Sequence, residues 1–294
     1  MKSKYIVPCC LGWLVLAVSA SPTPCRADDH ITYSVPFSSE SLASGFNPNV
    51  STTFSYTPGR AGTEGSNNQN KSLDVEKYDI NFTGLGWSFN HDTGIEAGLG
   101  AVQYRFPKAS TIILPQGGIP NDTRSVYGSL ALWHNVAPQW TVGTGIYGGD
   151  AGEDRLFSGL VVGATYRPST NFRTYIRLAA ARVGHTTYAG GFVGYEWEFA
   201  PRWRVEGNSL LRTVVHYGLR RNLDIYGGLV SDGGLFNVQK TPGNPSLRNT
   251  LLEYSQNDLQ VGLDWKVTKG WNIGVSLGLA LHQDFKYHQQ GGAH

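Results

Sequence analysis

The stretch that decides the fold is "WNIGVSLGLALHQDF", residues 271 to 285. Trp271, Ile273, Val275, Leu277, Leu279, Leu281 and Phe285 fall on one row, and Asn272, Gly274, Ser276, Gly278, Ala280, His282 and Asp284 on the other. A period of two marks a strand with two unlike faces. The apolar face could meet a protein core or hydrocarbon, and the second row discriminates. In a water-soluble sheet that row carries Lys, Thr, Glu or Ser and avoids glycine, which weakens a strand. Here it is small. The preceding run sets Asp258, Gln260, Gly262, Asp264 and Lys266 against Leu259, Val261, Leu263, Trp265 and Val267. Small and polar inside with apolar outside is the inverted pattern of a barrel in lipid, whose backbone groups are satisfied only by closing the sheet.

The same alternation fills the chain from residue 49 onward. It predicts twelve strands, at 50-57, 73-89, 94-106, 124-136, 140-148, 157-167, 172-183, 188-199, 203-217, 223-230, 250-267 and 271-287, with no helical segment between them. Strands of soluble sandwiches run about 5 to 6 residues, whereas 172-183, 188-199 and 271-285 alternate for a dozen or more. At about 3.3 Å per residue and a tilt of about 40°, eleven residues cross an apolar layer of about 25 to 28 Å. Tight turns recur at "NVAPQW" (135 to 140), "YRPSTNF" (166 to 172), "EFAPRW" (198 to 203) and "VTKGW" (267 to 271). Each sets Pro or Gly in the reversal and an aromatic at the next strand, as antiparallel hairpins require. Polar connections at 58-72, 107-123 and 231-249 are longer and belong to the other end of one meander. If "LRRNL" at 219 to 223 is a further tight turn at the same end, the strand count is odd and the termini lie on opposite sides. Reading 203-217 as one long strand restores twelve, and that is the expectation.

The chain begins with Lys2 and Lys4, an apolar stretch from Tyr5 to Val18, and small-residue cleavage signals at Val18-Ser19-Ala20 and Cys25-Arg26-Ala27. This is the layout of a secretory signal peptide over 1-27, with cleavage after Ala27 favoured over Ala20. Pro8, Gly12 and the shortness of the stretch argue against a permanent membrane helix. Cys9, Cys10 and Cys25 all lie in that leader, and none follows the Leu-x-small triplet of a lipoprotein. The chain beyond it therefore has no thiol and no disulfide. Residues 28-48 form a lead-in without sustained period, 49-287 the barrel, and 288-294 a tail. Lys2, Lys4 and Arg26 fall in the leader, leaving 21 basic against 22 acidic residues. That balance argues against nucleic acid as a partner, which needs a basic excess or stripe. Beyond residue 27 no apolar run approaches the 18 residues of a membrane helix.

Trp140, Tyr166, Phe172, Trp197, Trp203 and Trp271 border the short turns, and Phe285 and Tyr287 close the final apolar row. They are candidates for an aromatic girdle, since Trp and Tyr favour the headgroup level. The central strands carry charges on the opposite row: Arg173 and Arg177, Glu196 and Glu198, Arg204 and Glu206. A hairpin at Pro201 sets Glu198 across from Arg204, and Arg173 is expected near Glu198 as a complementary cross-strand pair. These six are the lumen-lining candidates. They suit either the selectivity lining of a channel or a salt-bridged plug of a narrow barrel.

With these features in place, the chain resembles Gram-negative outer-membrane β-barrels, and more narrowly is similar to functionally uncharacterised barrel families of that kind. The resemblance covers residues 49 to 287 and is one of pattern. It implies an all-β, antiparallel up-and-down transmembrane barrel of about twelve strands in the outer membrane, with lipid and the barrel-insertion machinery as partners. Such barrels usually finish on an aromatic residue, whereas this chain continues seven residues past Tyr287 as "HQQGGAH".

Function is open at this stage. The leading expectation is a pore or facilitator for small solutes; the alternatives are a structural or interaction barrel with a plugged lumen, and a lipid-acting enzyme. Outer-membrane lipid hydrolases use a His-x-Ser pair on one strand face, and none of the eight histidines is followed two residues later by Ser. No catalytic residue, metal site or cofactor is therefore expected. The loop "GGDAGEDR" at 148 to 155 offers Asp150, Glu153 and Asp154 but lacks a full calcium-ligand spacing, and His134 reads as an interfacial polar residue.

Overall fold

The computed structural model describes residues 49–58, 73–107, 113–114, 117–118, 120–150, 156–183, 186–209, 212–237 and 250–289. The leader, the lead-in, most of the acidic loop and the tail beyond residue 289 lie outside them. The strands in chain order are β1 (Asn49–Thr57), β2 (Val75–Ser88), β3 (Thr93–Arg105), β4 (Ile113–Leu114), β5 (Gly117–Gly118), β6 (Asp122–Ala137), β7 (Trp140–Asp150), β8 (Leu156–Ser169), β9 (Phe172–Val183), β10 (Thr186–Ala200), β11 (Trp203–Asn208), β12 (Arg212–Arg220), β13 (Leu223–Asn237), β14 (Thr250–Thr268) and β15 (Trp271–Gln289). β4 and β5 make a small separate hairpin, and the other thirteen described strands form one closed barrel. The fold is all-β, as the alternation predicts.

The wall is an antiparallel meander from β2 to β15, and β1 closes it by pairing antiparallel with β2 and parallel with β15. The turns after β2, β6, β8, β10, β12 and β14, including 221–222, gather at one end, here the turn end, and the other connections, short after β9 and β11 and longer elsewhere, at the other, the loop end. The expected count of twelve is corrected to thirteen. Residues 203-217 are two strands, β11 and β12, linked through 209–211, with Asn208 opposite Arg212. Asn208 Oδ1 accepts the Arg212 N–H (3.3 Å) and shapes that reversal. A three-residue link preserves odd-even phase, so Trp203 and Val205 before it and Val215 and Tyr217 after it sit on one outward row. The alternation passes through the turn unbroken and conceals it.

The two rows face as their chemistry demands. On β15, Val275, Leu277 and Leu281 are each about half exposed (50%, 54% and 50%), while Ser276 and Ala280 are buried at 4% and 3%. The same holds round the wall, where Leu130, Ile146, Leu160, Leu178, Val193, Leu259 and Val261 are exposed on the outer face. Water would not tolerate so continuous an apolar band, which greatly exceeds the patches of soluble proteins. A depth test follows. Leu277→Arg, halfway along its strand's outward row, is expected to cost about 2 to 4 kcal/mol, and Leu219→Arg, beside the 221–222 turn, about 0 to 1. The heat-modifiable gel shift of the two folded variants measures this, and equal losses would reject a hydrocarbon-facing outer surface.

Near its loop end the barrel departs from simple alternation. A bulge shifts the β14–β15 register, from Asn257↔His282 to Asp258↔Ala280, so β15 has one extra residue at this point. Bulges bend a strand and re-aim its side chains. Phe285, expected on the outward aromatic row, is turned inward and packs against Tyr254 and Phe106. The extra residue reverses its parity.

Candidate functional site

The lumen has two halves of different character. In the turn half, the inward row of β9 to β12 carries a ladder of charges. Arg173 stands directly opposite Glu196 and is ion-paired with it. Arg204 approaches the same carboxylate at 3.8 Å. Glu206 lies opposite Glu196, a like-charge pair that would destabilise the sheet if left alone. Arg212 compensates, donating from Nη2 (2.5 Å) and Nε (3.2 Å) to Glu206 Oε1, and His216 Nε2 lies 3.5 Å from the same oxygen. Glu198 does stand opposite Arg204, but it is exposed at the turn-end rim. The expected Arg173–Glu198 contact is corrected to Arg173–Glu196, one inward step deeper, because the β9–β10 register sets residue 196 against 173.

Arg177 is lodged in the wall. It is 9% exposed, and its Nη1 donates to the carbonyls of Ala164 (2.8 Å) and Ile176 (3.0 Å), its Nη2 to Thr165 Oγ1 (3.0 Å). Its guanidinium lies 5.3 Å from the centre of the Tyr175 ring. Large inward side chains here face glycine on the neighbouring strand: Tyr175 over Gly194, Tyr226 over Gly262, and the Arg177 stem over Gly163. A Cβ at Gly163 would lie 2.5 Å from Arg177 Cδ. The inward glycines are thus the space into which the long side chains fold.

The loop half is crossed. Asp232 on β13 accepts from Lys77 Nζ of β2 (2.8 Å) and from Tyr104 Oη of β3 (2.7 Å). β3 is five strands from β13 round the wall, so these bonds span the lumen. Beside them Tyr104, Phe106 and Tyr254 pack edge-on or stacked with centroids 5.3 to 6.4 Å apart, joined by Leu73, Val75, Leu252 and Phe285. Leu251, next to Leu252 on β14, packs with Tyr127, Tyr147, Phe157 and Val183 of β6 to β9 on the opposite wall. Leu251 and Leu252 point to opposite faces of one strand, and both are fully buried. A strand at the mouth of a barrel can bury both faces only by lying inside it. The ends of β13 and β14 therefore form a tongue inserted into the loop-end lumen, with the β14–β15 bulge at its base.

A polar belt ties the tongue down. Gln256 Nε2 donates to Asp258 Oδ2 (2.6 Å), Gln283 Nε2 to Gln256 Oε1 (2.7 Å), and Thr57 Oγ1 to Asp258 Oδ2 (2.9 Å). Lys77, Tyr104, Asp232, Tyr254, Arg212 and His216 were not singled out by sequence reasoning. Their inward parity was the available signal.

At the turn end the outer aromatics form a broken rim. Trp140 stacks on Tyr166 with centroids 4.6 Å apart. Trp197, Phe199, Trp203 and Tyr217 make a continuous chain across β10 to β12. Phe172, opposite Trp197, shares that face, and Trp271 is exposed at the start of β15. The backbone of Tyr287 pairs with Leu252; its side chain lies outside the described set. His134, exposed near the 138–139 turn, bonds Thr93 Oγ1 through Nδ1 at 2.9 Å.

No family model matches this chain, and no curated protein matches it. A solved structure of a mutant ferric enterobactin receptor from Pseudomonas aeruginosa is similar over 79% of this chain and 50% of its own, at 8% identity and a TM-score of 0.26. The chain spans about half the length of that receptor. So low a score carries no argument, and the reading of the barrel rests on its own geometry.

Proposed function

We propose that the chain is an outer-membrane β-barrel of a Gram-negative bacterium, exported by its leader and seated by the barrel-insertion machinery, whose lumen is stoppered at the loop end. At rest it serves as an interaction or structural barrel, and it passes small solutes only when the stopper is drawn. The observation that carries this reading is the inserted tongue, with Leu251 and Leu252 buried on both its faces and Asp232 anchored across the lumen to Lys77 and Tyr104. A constantly open pore, the leading expectation from the sequence, needs a continuous wet path. Fully buried Tyr254 and Phe106 stand in it. The turn half supports the latent solute path, because its charge ladder stays partly accessible: side chains of Arg204 and Glu206 are 28% and 27% exposed. Planar-bilayer recording of the purified protein tests the reading. Silence is expected, and discrete steps from the unmodified protein would return the open pore to first place.

A further inference from the structure

The wall is sealed in one place by a strand unlike the others. β1 stands beside β15, its far neighbour in the chain, and makes the barrel's parallel pairing, seven register pairs from Val50↔Trp271 to Tyr56↔Leu277. Parallel ladders are slightly less stable per residue than antiparallel ones. β15 runs on to Gln289, so its upper half extends well past the last β1 partner. Inward, β1 presents Ser51, Thr53 and Ser55 to Asn272, Gly274 and Ser276, with no long side chain to wedge the joint. β1 carries no charged residue. Among the described residues, the side-chain bond that ties it to the lumen network is Thr57 to Asp258.

The strands flanking β1 match each other. β2 is antiparallel to β1 and β15 is parallel to it, so β2 and β15 are mutually antiparallel. Their faces are in phase, since Ile80, Thr52 and Ile273 form one outward row and Asp79, Thr53 and Gly274 one inward row. Without β1 the two edges could pair directly, giving twelve strands, all antiparallel, the even number usual for such bacterial barrels. Above the end of β1 they already touch. Gln283 of β15 accepts the Leu73 N–H on Oε1 (2.6 Å) and donates from Nε2 to the Leu73 carbonyl (3.2 Å), taking both backbone groups of the residue that leads into β2. The Gln283 side-chain amide thus makes for Leu73 the two bonds that a neighbouring strand's backbone would make.

We infer that the seam between β2 and β15 is a strand-binding slot, filled here by the chain's own β1, and that the barrel also closes without it. The slot takes an extended, uncharged segment with hydroxyl residues on one row and apolar residues on the other. β2 and β15 zip together from the Leu73–Gln283 contact toward the turn end, and β1 leaves by the turn end, where the chain enters it. Losing one strand narrows the ring, because barrel diameter grows with strand number.

Disulfide trapping in the full chain, with Cys9, Cys10 and Cys25 changed to Ser, tests the slot. With β1 in place, Ile80 and Ile273 are two strand spacings apart, about 9.6 Å, beyond the about 7 Å that a disulfide spans. Three double variants are oxidised in the membrane and read on non-reducing gels: Thr52→Cys with Ile273→Cys, Ile80→Cys with Ile273→Cys, and Ile80→Cys with Val275→Cys, one register step away. The first is expected to cross-link in the thirteen-stranded closure, and at least one of the other two in the twelve-stranded one. If the first goes to completion and both others stay reduced, β1 is a permanent wall strand and the inference is overturned. If the Ile80 variants cross-link and the Thr52 variant does not, the twelve-stranded closure dominates, and β1 is outside the wall.

Discussion

Replacing Tyr254 and Asp232 together by alanine is expected to turn a silent barrel into one that passes discrete current steps. Two of the contacts that close the loop half centre on these residues, beside the Leu251 packing and the Asp258 belt. Asp232 holds the base of the tongue to Lys77 and Tyr104, and Tyr254 fills the space between Phe106, Tyr104 and Phe285. Removing Asp232 alone leaves the aromatic stopper. Removing Tyr254 alone leaves the polar anchor, and the tongue stays seated. The double variant loses both, and Lys77 then sits without its carboxylate, which alone costs about 3 to 5 kcal/mol if the pair is treated as buried. Side-chain exposures of 21% and 16% for Lys77 and Asp232 put the real cost toward the lower end. The barrel wall should survive this, because its inter-strand hydrogen bonds in the turn half are untouched. The heat-modifiable gel shift confirms folding before current is recorded. A folded double variant as silent as the parent would mean that the Asp232 anchor and the Tyr254 packing are not what keeps the lumen closed.

How far the sequence foretells this can be argued residue by residue. The facing of Leu277 and Ser276 follows from parity and side-chain chemistry alone, and it carries the whole fold. The turn after Asn208 was hidden because three link residues leave the phase unchanged. Parity alone sets Phe285 outward, because nothing in "LALHQDF" announces a bulge, and one inserted residue reverses every side chain beyond it. Asp232 is illegible for a different reason. "SDGG" at 231 to 234 has the composition of a turn, yet β13 continues through it, with Gly233 and Gly234 paired to Ser255 and Tyr254. Its partner Lys77 is 155 residues away, and no local pattern predicts a bond across a lumen. The ladder was more legible. Arg173, Arg177, Glu196, Glu198, Arg204 and Glu206 share one inward row, but which carboxylate meets which guanidinium depends on register, and that is set by turn geometry.

Arg177→Glu is expected to lower the stability of the folded barrel sharply without shifting ion selectivity. In a wet lumen lining, reversing one charge changes the field that ions meet and leaves stability nearly intact. Arg177 is not placed that way. Its guanidinium donates to the Ala164 and Ile176 carbonyls and to Thr165 Oγ1, and its stem lies along Gly163. A carboxylate there would face the carbonyl oxygens that now accept from the guanidinium, in a position that is only 9% exposed. Uncompensated buried charge costs about 3 to 5 kcal/mol, a large share of a typical stability of about 5 to 15 kcal/mol. Arg177→Met separates charge from shape. It keeps the apolar stem over Gly163 and forfeits the charge-assisted hydrogen bonds, worth about 1.5 to 3 kcal/mol, so it should fall between the parent and the glutamate variant. Urea midpoints of the three folded barrels give the ranking, and reversal potentials in a salt gradient, taken in the Tyr254 and Asp232 double-alanine background, give the selectivity. A stable Arg177→Glu barrel with selectivity moved toward cations would place Arg177 in the water path. The ladder of Glu196 and Glu206 with Arg173, Arg204 and Arg212, more exposed than Arg177, is where selectivity of an unstoppered lumen is expected to reside.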